Sequence, residues 1–138
     1  MRRPLVVLDT NVLVSALRSR RGASFALVEH LGTELFDVAV SVPLVLEYEA
    51  AMLRHRGGLS AGQVGDIIDY VCSVALHQRV FFLWRPLLRD PNDDMVAEVA
   101  VAARAQAIVT HNKRDFDGVG RLGVKVWSPR YFLERIRR

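Results

Sequence analysis

The feature that most constrains the fold is the run Leu5-Val6-Val7-Leu8, an apolar segment that ends abruptly at Asp9. Four consecutive apolar residues rich in valine indicate a strand that is buried on both faces, as strands in parallel sheets are. Helical periodicity follows over Val12–Leu17, and the chain continues to alternate between short apolar runs and longer periodic segments. This alternation predicts an α/β fold with three layers, α/β/α, and a central, mostly parallel sheet.

The remaining elements follow from apolar runs, helical spacing and helix-start signals. Further strands are predicted at Phe36–Val42, Val80–Trp84, Ala107–Thr110 and Val124–Trp127. Further helices are predicted at Ala23–Leu31, at Leu44–Arg54 after Pro43 in a first turn, from an N-cap at Ser60 to His77, at Asp93–Arg104, and from Ser128-Pro129 to the basic end of the chain. Because no repeat, low-complexity segment or linker interrupts the pattern, we expect one domain over residues 1–138.

Composition narrows the class of protein. Half of the 138 residues (51%) are hydrophobic, which is enough for a packed core. The net charge of +4 permits nucleic-acid binding without establishing it. A single cysteine, Cys72, excludes an intramolecular disulfide and suits a reducing compartment. The apolar run after Arg2-Arg3 is too short for a signal peptide, and no stretch is long enough to span a membrane, so we expect a cytoplasmic protein.

Acid and amide side chains occur in four groups along the chain: Asp9-Thr10-Asn11, Glu47, Asp90-Pro91-Asn92-Asp93-Asp94, and Asn112 with Asp115. Ligands of parallel α/β sheets bind beyond the carboxyl ends of the strands. The first and last groups each follow a predicted strand, so both should lie at the same edge of the sheet. Carboxylates that converge repel one another, and a divalent cation is the simplest reason for them to do so.

Each group also has a structural interpretation. Asp9 could be an N-cap, Glu47 a solvated helix position, and the acids near residue 90 partners of a helix dipole. The segment from Thr110 to Asp115 could be an ordinary polar turn. His111 has no Cys or His partner at zinc-site spacing, so we expect it to be solvated or hydrogen-bonded.

The helix register distinguishes the two adjacent aspartates. Asp93 shares a helix face with Val96, Ala97 and Ala100, which places it at the core edge rather than Asp94. A shift of the helix start by one residue would exchange the two.

The ligand types and the basic residues together indicate a chemistry. Carboxylate and amide oxygens without thiolates select Mg²⁺ or Mn²⁺, and such sites serve phosphodiester cleavage. An acidic site also needs cations nearby for the phosphate backbone of RNA. The basic residues available for this are Arg18, Arg20, Arg21, Arg54, Arg56, Lys113 and Arg114.

Four motifs in this order resemble the PIN-domain nucleases, specifically the VapC-like toxin components of toxin–antitoxin pairs. The motifs are Val7-Leu8-Asp9-Thr10-Asn11-Val12-Leu13, Val45-Leu46-Glu47-Tyr48, Asp90-Pro91-Asn92-Asp93-Asp94, and the segment from Ile108 through Asp115-Phe116. Each motif is weak alone, whereas the four together, spanning nearly the whole chain, are quite specific.

The resemblance implies a metal-dependent endoribonuclease that often dimerises and is held inactive by a small antitoxin. Catalytic roles would fall on Asp9, Glu47, Asp93 and Asn112, and metal ligation on Asp9, Asp93, Asp94 and Asp115. Thr10 or Thr110 would match hydroxyls that support the acids, and Asn11 is grouped with them. The family's fourth acid is usually Asp, so Asn112 removes one formal charge and puts a second metal in doubt. Asp115 either substitutes for it or caps a helix.

Two other functions compete with this one. A phosphatase of the haloacid-dehalogenase type would use Asp9 as its nucleophile, but such enzymes place a second Asp two residues later, where this chain has Asn11. A PIN scaffold that has lost activity could serve as an RNA- or protein-binding module, and Asn112 is the feature in its favour.

Overall fold

A five-stranded sheet organises the computed structural model, which describes residues 3–80, 88 and 90–138. Its strands are β1 (Leu5–Leu8), β2 (Asp37–Val40), β3 (Leu76–His77), β4 (Ala107–Val109) and β5 (Lys125–Trp127). They lie in the order β3-β2-β1-β4-β5, and every neighbouring pair is parallel. The predicted α/β/α fold with a central parallel sheet is confirmed.

Six α-helices connect and flank the strands in the described part of the chain. They are α1 (Thr10–Arg18), α2 (Ala23–Glu29), α3 (Val42–Arg54), α4 (Ala61–Val74), α5 (Pro91–Ala102) and α6 (Pro129–Ile136). Short 3-10 helices lie at Lys113–Phe116 and Val119–Leu122. No helix among these described residues combines the length and the apolar character needed to cross a membrane.

The two strands at the centre of the sheet form the core. Val6 and Val7 of β1 and Ile108 and Val109 of β4 are fully inaccessible to solvent. Burial of large aliphatic side chains contributes roughly 1.5–3 kcal/mol each, so these strands are the most strongly held part of the sheet. Their burial matches the continuous apolar runs in the sequence.

Hydroxyl side chains begin several of the helices. Ser41, Ser60 and Ser128 each accept a hydrogen bond from a backbone N–H in the first turn of the helix that follows. At Ser60 the side-chain oxygen of Gln63 also accepts a hydrogen bond from the Ser60 N–H, which completes a capping box. The predicted N-cap at Ser60 and the predicted helix start at Ser128-Pro129 are confirmed.

The sequence prediction was wrong at the end of α4 and imprecise at the end of β2. The helix predicted to reach His77 ends at Val74, because Leu76 and His77 instead pair with Ala39 and Val40 as the edge strand β3. The strand predicted at Phe36–Val42 spans only Asp37–Val40 because Ser41 already caps α3. The strand predicted at Val80–Trp84 lies, apart from Val80, outside the described residues.

Candidate metal and nucleic-acid site

The adjacent carboxyl ends of β1 and β4 bring the first and last polar groups together. Asp9 follows β1 and Thr110 follows β4, and these two strands are hydrogen-bonded neighbours. The Asp9 N–H extends the ladder by donating to the Val109 carbonyl oxygen at 2.9 Å. The predicted convergence of these two segments at one edge is confirmed.

Both carboxylate oxygens of Asp9 accept hydrogen bonds in a nearly closed environment. Oδ1 accepts from the Thr10 N–H at 2.8 Å, and Oδ2 accepts from the Thr110 hydroxyl at 2.7 Å. Asp9 is also the N-cap residue of α1, so its structural interpretation holds in part. Burial raises the pKa of Asp9, the two hydrogen bonds lower it, and the charges of Asp115 and Asp90 raise it, with an upward net shift.

A network centred on the Thr110 hydroxyl orders the residues around Asp9. The hydroxyl donates to Asp9 and accepts from Asn11 Nδ2 at 3.4 Å and from the Asn112 N–H at 3.0 Å. Asn11 Oδ1 in turn accepts from the His111 N–H at 3.3 Å. Asn11 and Thr110 therefore hold Asp9 and the turn after β4 in one arrangement, whereas Thr10 contributes its backbone N–H.

Asp93, in the first turn of α5, lies in the electrostatic field of the other acids. Burial, followed by the charges of Asp9, Asp115, Asp90 and Asp94 in that order, raises the pKa of Asp93 to about 7. A carboxyl group that holds its proton near neutral pH among other carboxylates is a common mark of a functional site. The structure thus brings Asp9, Asp93 and Asp115 into one group, which we call the acid cluster.

Asp94 is buried and accepts a backbone hydrogen bond. Its side chain is only 2% exposed, and its Oδ1 accepts a hydrogen bond from the Leu88 N–H at 2.7 Å. The helix register predicted that Asp93 lies at the core edge, whereas Asp94 is the more deeply buried of the two aspartates. Asp93, which is half-buried, is the one in the acid cluster.

The two candidates for the fourth acid position differ in their surroundings. Asp115 lies in the 3-10 helix Lys113–Phe116 and contributes charge to both Asp9 and Asp93. Asn112 precedes this helix and makes no side-chain cap bond there. One turn joins them, because the Asp115 N–H donates to the Asn112 carbonyl oxygen at 3.0 Å. Asp115 therefore brings a negative charge to this edge, whereas Asn112 brings none.

Glu47 lies on α3, and its visible contact is with a basic residue. Its Oε1 is 3.8 Å from the Arg54 guanidinium, two turns further along the helix. The adjacent Tyr48 is buried and donates its hydroxyl to the Leu8 carbonyl, which ties α3 to the end of β1. This contact was not expected from the sequence, where Tyr48 was only a motif residue. It joins the Tyr48 side chain, and not Glu47, to the residue that precedes Asp9.

The basic residues proposed for phosphate contact are all exposed, but two have partners. Arg18 donates to His55 Nδ1 at 3.0 Å, and Arg54 pairs with Glu47. Four others lie on two exposed segments: Arg20 and Arg21 between α1 and α2, and Lys113 and Arg114 directly before Asp115. Arg56 lies in the loop after α3.

His111 is hydrogen-bonded, as expected, but to an unforeseen partner. Its Nε2 lies 2.7 Å from the hydroxyl oxygen of Ser24, which is buried at the start of α2. Burial lowers the pKa of His111. The sequence carried no signal for this contact, since the two residues are 87 positions apart.

No ready cage of ligands exists in the part of the chain that the structure describes. Among residues 3–80, 88 and 90–138, no three His, Cys, Asp or Glu side chains lie close enough together to hold a metal ion. The acids of the cluster are electrostatic neighbours. Their mutual repulsion and the oxygen-only donor set nevertheless fit a hard divalent cation.

Comparison with known proteins assigns the chain to a family. The PIN domain family matches residues 5–114, and the chain therefore belongs to the PIN domain family. The family identification made from the four motifs is confirmed. No curated protein gives a significant match in sequence.

Two solved structures share the fold at low sequence identity. One is a chain in the crystal structure of VapBC2 from Rickettsia felis bound to a DNA fragment from their promoter, with a TM-score of 0.60 and 19% identity, covering 89% of this chain and 98% of that chain. The other is a chain of VapBC-1 from nontypeable Haemophilus influenzae, with a TM-score of 0.58 and 16% identity, covering 91% of this chain and 98% of that chain.

Proposed function

We propose that this protein is a metal-dependent endoribonuclease that hydrolyses phosphodiester bonds of RNA. The observation that carries this proposal is the acid cluster at the carboxyl edge of a PIN-domain sheet, with the pKa of Asp93 raised to about 7. Unneutralised carboxylates at one edge destabilise the fold, so their presence is best explained by a cation and a substrate.

Mg²⁺ or Mn²⁺ would be held by Asp9, Asp93 and Asp115, with Glu47 completing the catalytic acids. A bound divalent ion lowers the pKa of water and neutralises charge on the reacting phosphate. The chain's own part is to orient Asp9 through Thr110 and to place Asp115 where Asn112 brings no charge. Asp94 is left out of the ligand set because it is committed to Leu88.

RNA is the substrate class that the surface favours. Exposed basic residues lie in two segments, at Arg20 and Arg21 in the connection before α2 and at Lys113 and Arg114 directly before Asp115. Together with a net charge of +4, they can contact phosphates next to an acidic centre that would otherwise repel them.

A toxin role in a toxin–antitoxin pair follows from the structural neighbours. Both are VapBC structures, and the one from Rickettsia felis is bound to a DNA fragment from its promoter. By analogy with these neighbours, we infer a small cognate antitoxin as partner, and from the family resemblance a homodimer. The single cysteine suits a cytoplasmic location.

Cleavage of RNA by the purified protein tests the proposal. We expect cleavage with Mg²⁺ or Mn²⁺, none in EDTA, and none from Asp9→Asn, whose circular dichroism should match the parent. Asp66→Asn is the matched control because it removes the same charge from an exposed position on α4. Cleavage that persists in EDTA, or survives in Asp9→Asn, would disprove the proposal.

A catalytically weakened scaffold that binds RNA or protein is the second candidate, and Asn112 is the observation in its favour. Asn112→Asp restores the usual acid and distinguishes the two. If the protein is weakened, this change should raise cleavage at least tenfold. If Asp115 already supplies the fourth charge, cleavage should change by less than about threefold, while Asp115→Asn should abolish it.

A further inference from the structure

A buried serine and a histidine are joined by a short hydrogen bond next to the acid cluster. The Ser24 hydroxyl oxygen and His111 Nε2 are 2.7 Å apart, and Ser24 is 1% exposed. The tautomer of the imidazole decides which partner donates. This partly buried bond joins residues 87 positions apart and so holds two distant segments of the chain together.

His111 is tied to a second helix as well. Its backbone N–H donates to Asn11 Oδ1 at 3.3 Å, on α1, while its ring contacts Ser24 on α2. The preceding residue, Thr110, binds Asp9. Thr110 and His111 thus hold the turn after β4 by three hydrogen bonds, of which the bond to Ser24 is the one that reaches α2.

Each partner of this bond adjoins a pair of exposed basic residues. Arg20 and Arg21 precede Ser24 by four and three positions, in the connection before α2, and Lys113 and Arg114 follow His111 by two and three positions. The hydrogen bond therefore sets the separation of two basic segments that come from different parts of the sequence.

We propose that the Ser24–His111 pair is a positioning contact that holds these two basic segments together so that they bind neighbouring phosphates of one RNA strand beside the acid cluster. The proposal rests on the proposed function in that RNA is the ligand. Neither Ser24 nor His111 touches substrate in this role. Loss of the contact should weaken RNA binding without abolishing the acid cluster.

RNA binding measured by fluorescence anisotropy tests the contact. The probe is a labelled single-stranded RNA of mixed sequence, bound without metal by the Asp9→Asn protein so that it is not cleaved. His111→Leu removes the contact, whereas His111→Gln retains an amide that reaches Ser24. Because burial lowers the pKa of His111, the ring is uncharged at pH 8 and its replacement removes no positive charge.

The salt dependence of binding separates positioning from a general loss of stability. We expect His111→Leu to weaken binding about tenfold and to reduce the slope of log K against log salt by about 1.4, the value for two lost phosphate contacts on single-stranded RNA. His111→Gln should keep the parental slope because its amide still reaches Ser24. Ser60→Ala should also keep it, because this change removes a helix cap on α4, away from both basic segments.

A double-mutant cycle gives a second readout. The charge-removing pair Arg20→Gln and Arg21→Gln should weaken binding in the parent and in His111→Gln. In His111→Leu the same pair should have little further effect, because the segment is already displaced. Full additivity would overturn the positioning role.

The outcomes keep this inference separate from the proposed function. If the unmodified protein cleaves RNA with Mn²⁺ but His111→Leu binds with parental affinity and slope, the positioning contact is disproved and the nuclease stands. If the unmodified protein does not cleave RNA but binding depends on His111 as expected, the nuclease is disproved and the contact stands. If the Asp9→Asn protein binds no RNA, the positioning contact is disproved, and cleavage by the unmodified protein decides the nuclease separately.

Discussion

Thr110 has the largest share of the contacts that order the candidate site. Its hydroxyl donates to Asp9 and accepts from Asn11 and from the Asn112 backbone, and the residue is fully buried. Because the bond from Thr110 lowers the pKa of Asp9, its loss adds to the cost of the buried carboxylate. A single hydroxyl thus couples the stability of the fold to the state of the acid cluster.

Replacing this hydroxyl should cost both stability and activity. We expect Thr110→Val, which has nearly the same shape, to lower the free energy of unfolding by roughly 1–3 kcal/mol at pH 7.5, as for a buried partner left unpaired. Cleavage of RNA should fall at least tenfold. Urea denaturation and an RNA cleavage assay measure the two effects. Thr110→Ser keeps the hydroxyl and should retain most activity, and equal losses in both variants would contradict this role.

The raised pKa of Asp93 predicts how the stability of the metal-free protein depends on pH. This pKa is about 7 in the folded protein and about 3.9 when unfolded, so the folded state binds more protons between these values. Stability should therefore fall as pH rises from about 4 to about 7. Asp93→Asn removes this contribution.

Urea denaturation in EDTA tests this expectation. Relative to the unmodified protein, Asp93→Asn should be more stable at pH 8, and the difference should disappear towards pH 4. Asp66→Asn, an exposed charge removal on α4, is the control and should show no such pH-dependent gain. Parallel pH profiles for Asp93→Asn and the unmodified protein would contradict the raised pKa.

Among the elements of the fold, the contact between α4 and the turn after α2 depends on one glycine. Gly32 follows α2 with φ of 80°, and a Cβ there would lie 2.6 Å from the Tyr70 hydroxyl oxygen. That hydroxyl donates to the Leu31 carbonyl oxygen at 2.7 Å, so it is not free to move without losing a bond. The glycine therefore permits both the left-handed turn and its contact with α4.

Gly32→Ala should destabilise the protein by about 1–3 kcal/mol, from backbone strain together with displacement of Tyr70. Gly65→Ala is the matched control, because a Cβ at Gly65, inside α4, meets nothing within 4 Å. It should instead stabilise by roughly 0.5–1 kcal/mol. Midpoints of urea denaturation compare the two. A neutral Gly32→Ala would show that Tyr70 relaxes at no cost.

For the whole molecule, a divalent ion held by the acid cluster, as proposed, would link metal binding to folding. Asp9, Asp93 and Asp115 come from three separate parts of the fold, so such an ion would stabilise their assembly and not any one element. Anything that binds the folded state alone stabilises it by RT ln(1 + [L]/Kd).

We expect Mg²⁺ or Mn²⁺ at one hundred times its Kd to add about 2.7 kcal/mol to the free energy of unfolding, on the order of 10 °C in Tm. Thermal unfolding followed with and without EDTA measures the shift. Asp93→Asn should lose most of it, and Asp66→Asn should keep it. A Tm independent of metal in the unmodified protein would contradict a metal site in the acid cluster.

Much of the fold followed from the order of residues along the chain. The run Leu5–Leu8 predicted a strand buried on both faces because only such a strand needs four consecutive apolar residues. The helix starts at Ser60 and Ser128 followed from local capping chemistry. By contrast, β3 was missed because Leu76 and His77 continue an apolar helical pattern, and their pairing with β2 is a tertiary contact.

Part of the candidate site was likewise predictable from the order of residues. Asp9 and the turn after Thr110 were expected at one edge, because the carboxyl ends of parallel strands lie together. The folded structure was needed to show that Asp93 joins that edge while Asp94 accepts a bond from Leu88. It was also needed to show that Ser24 contacts His111. A helical register error of one residue exchanges the first pair, and nothing local connects the second. Periodicity and capping act over a few residues and can be read along the chain, whereas the partner of a buried polar group is chosen by packing across the fold.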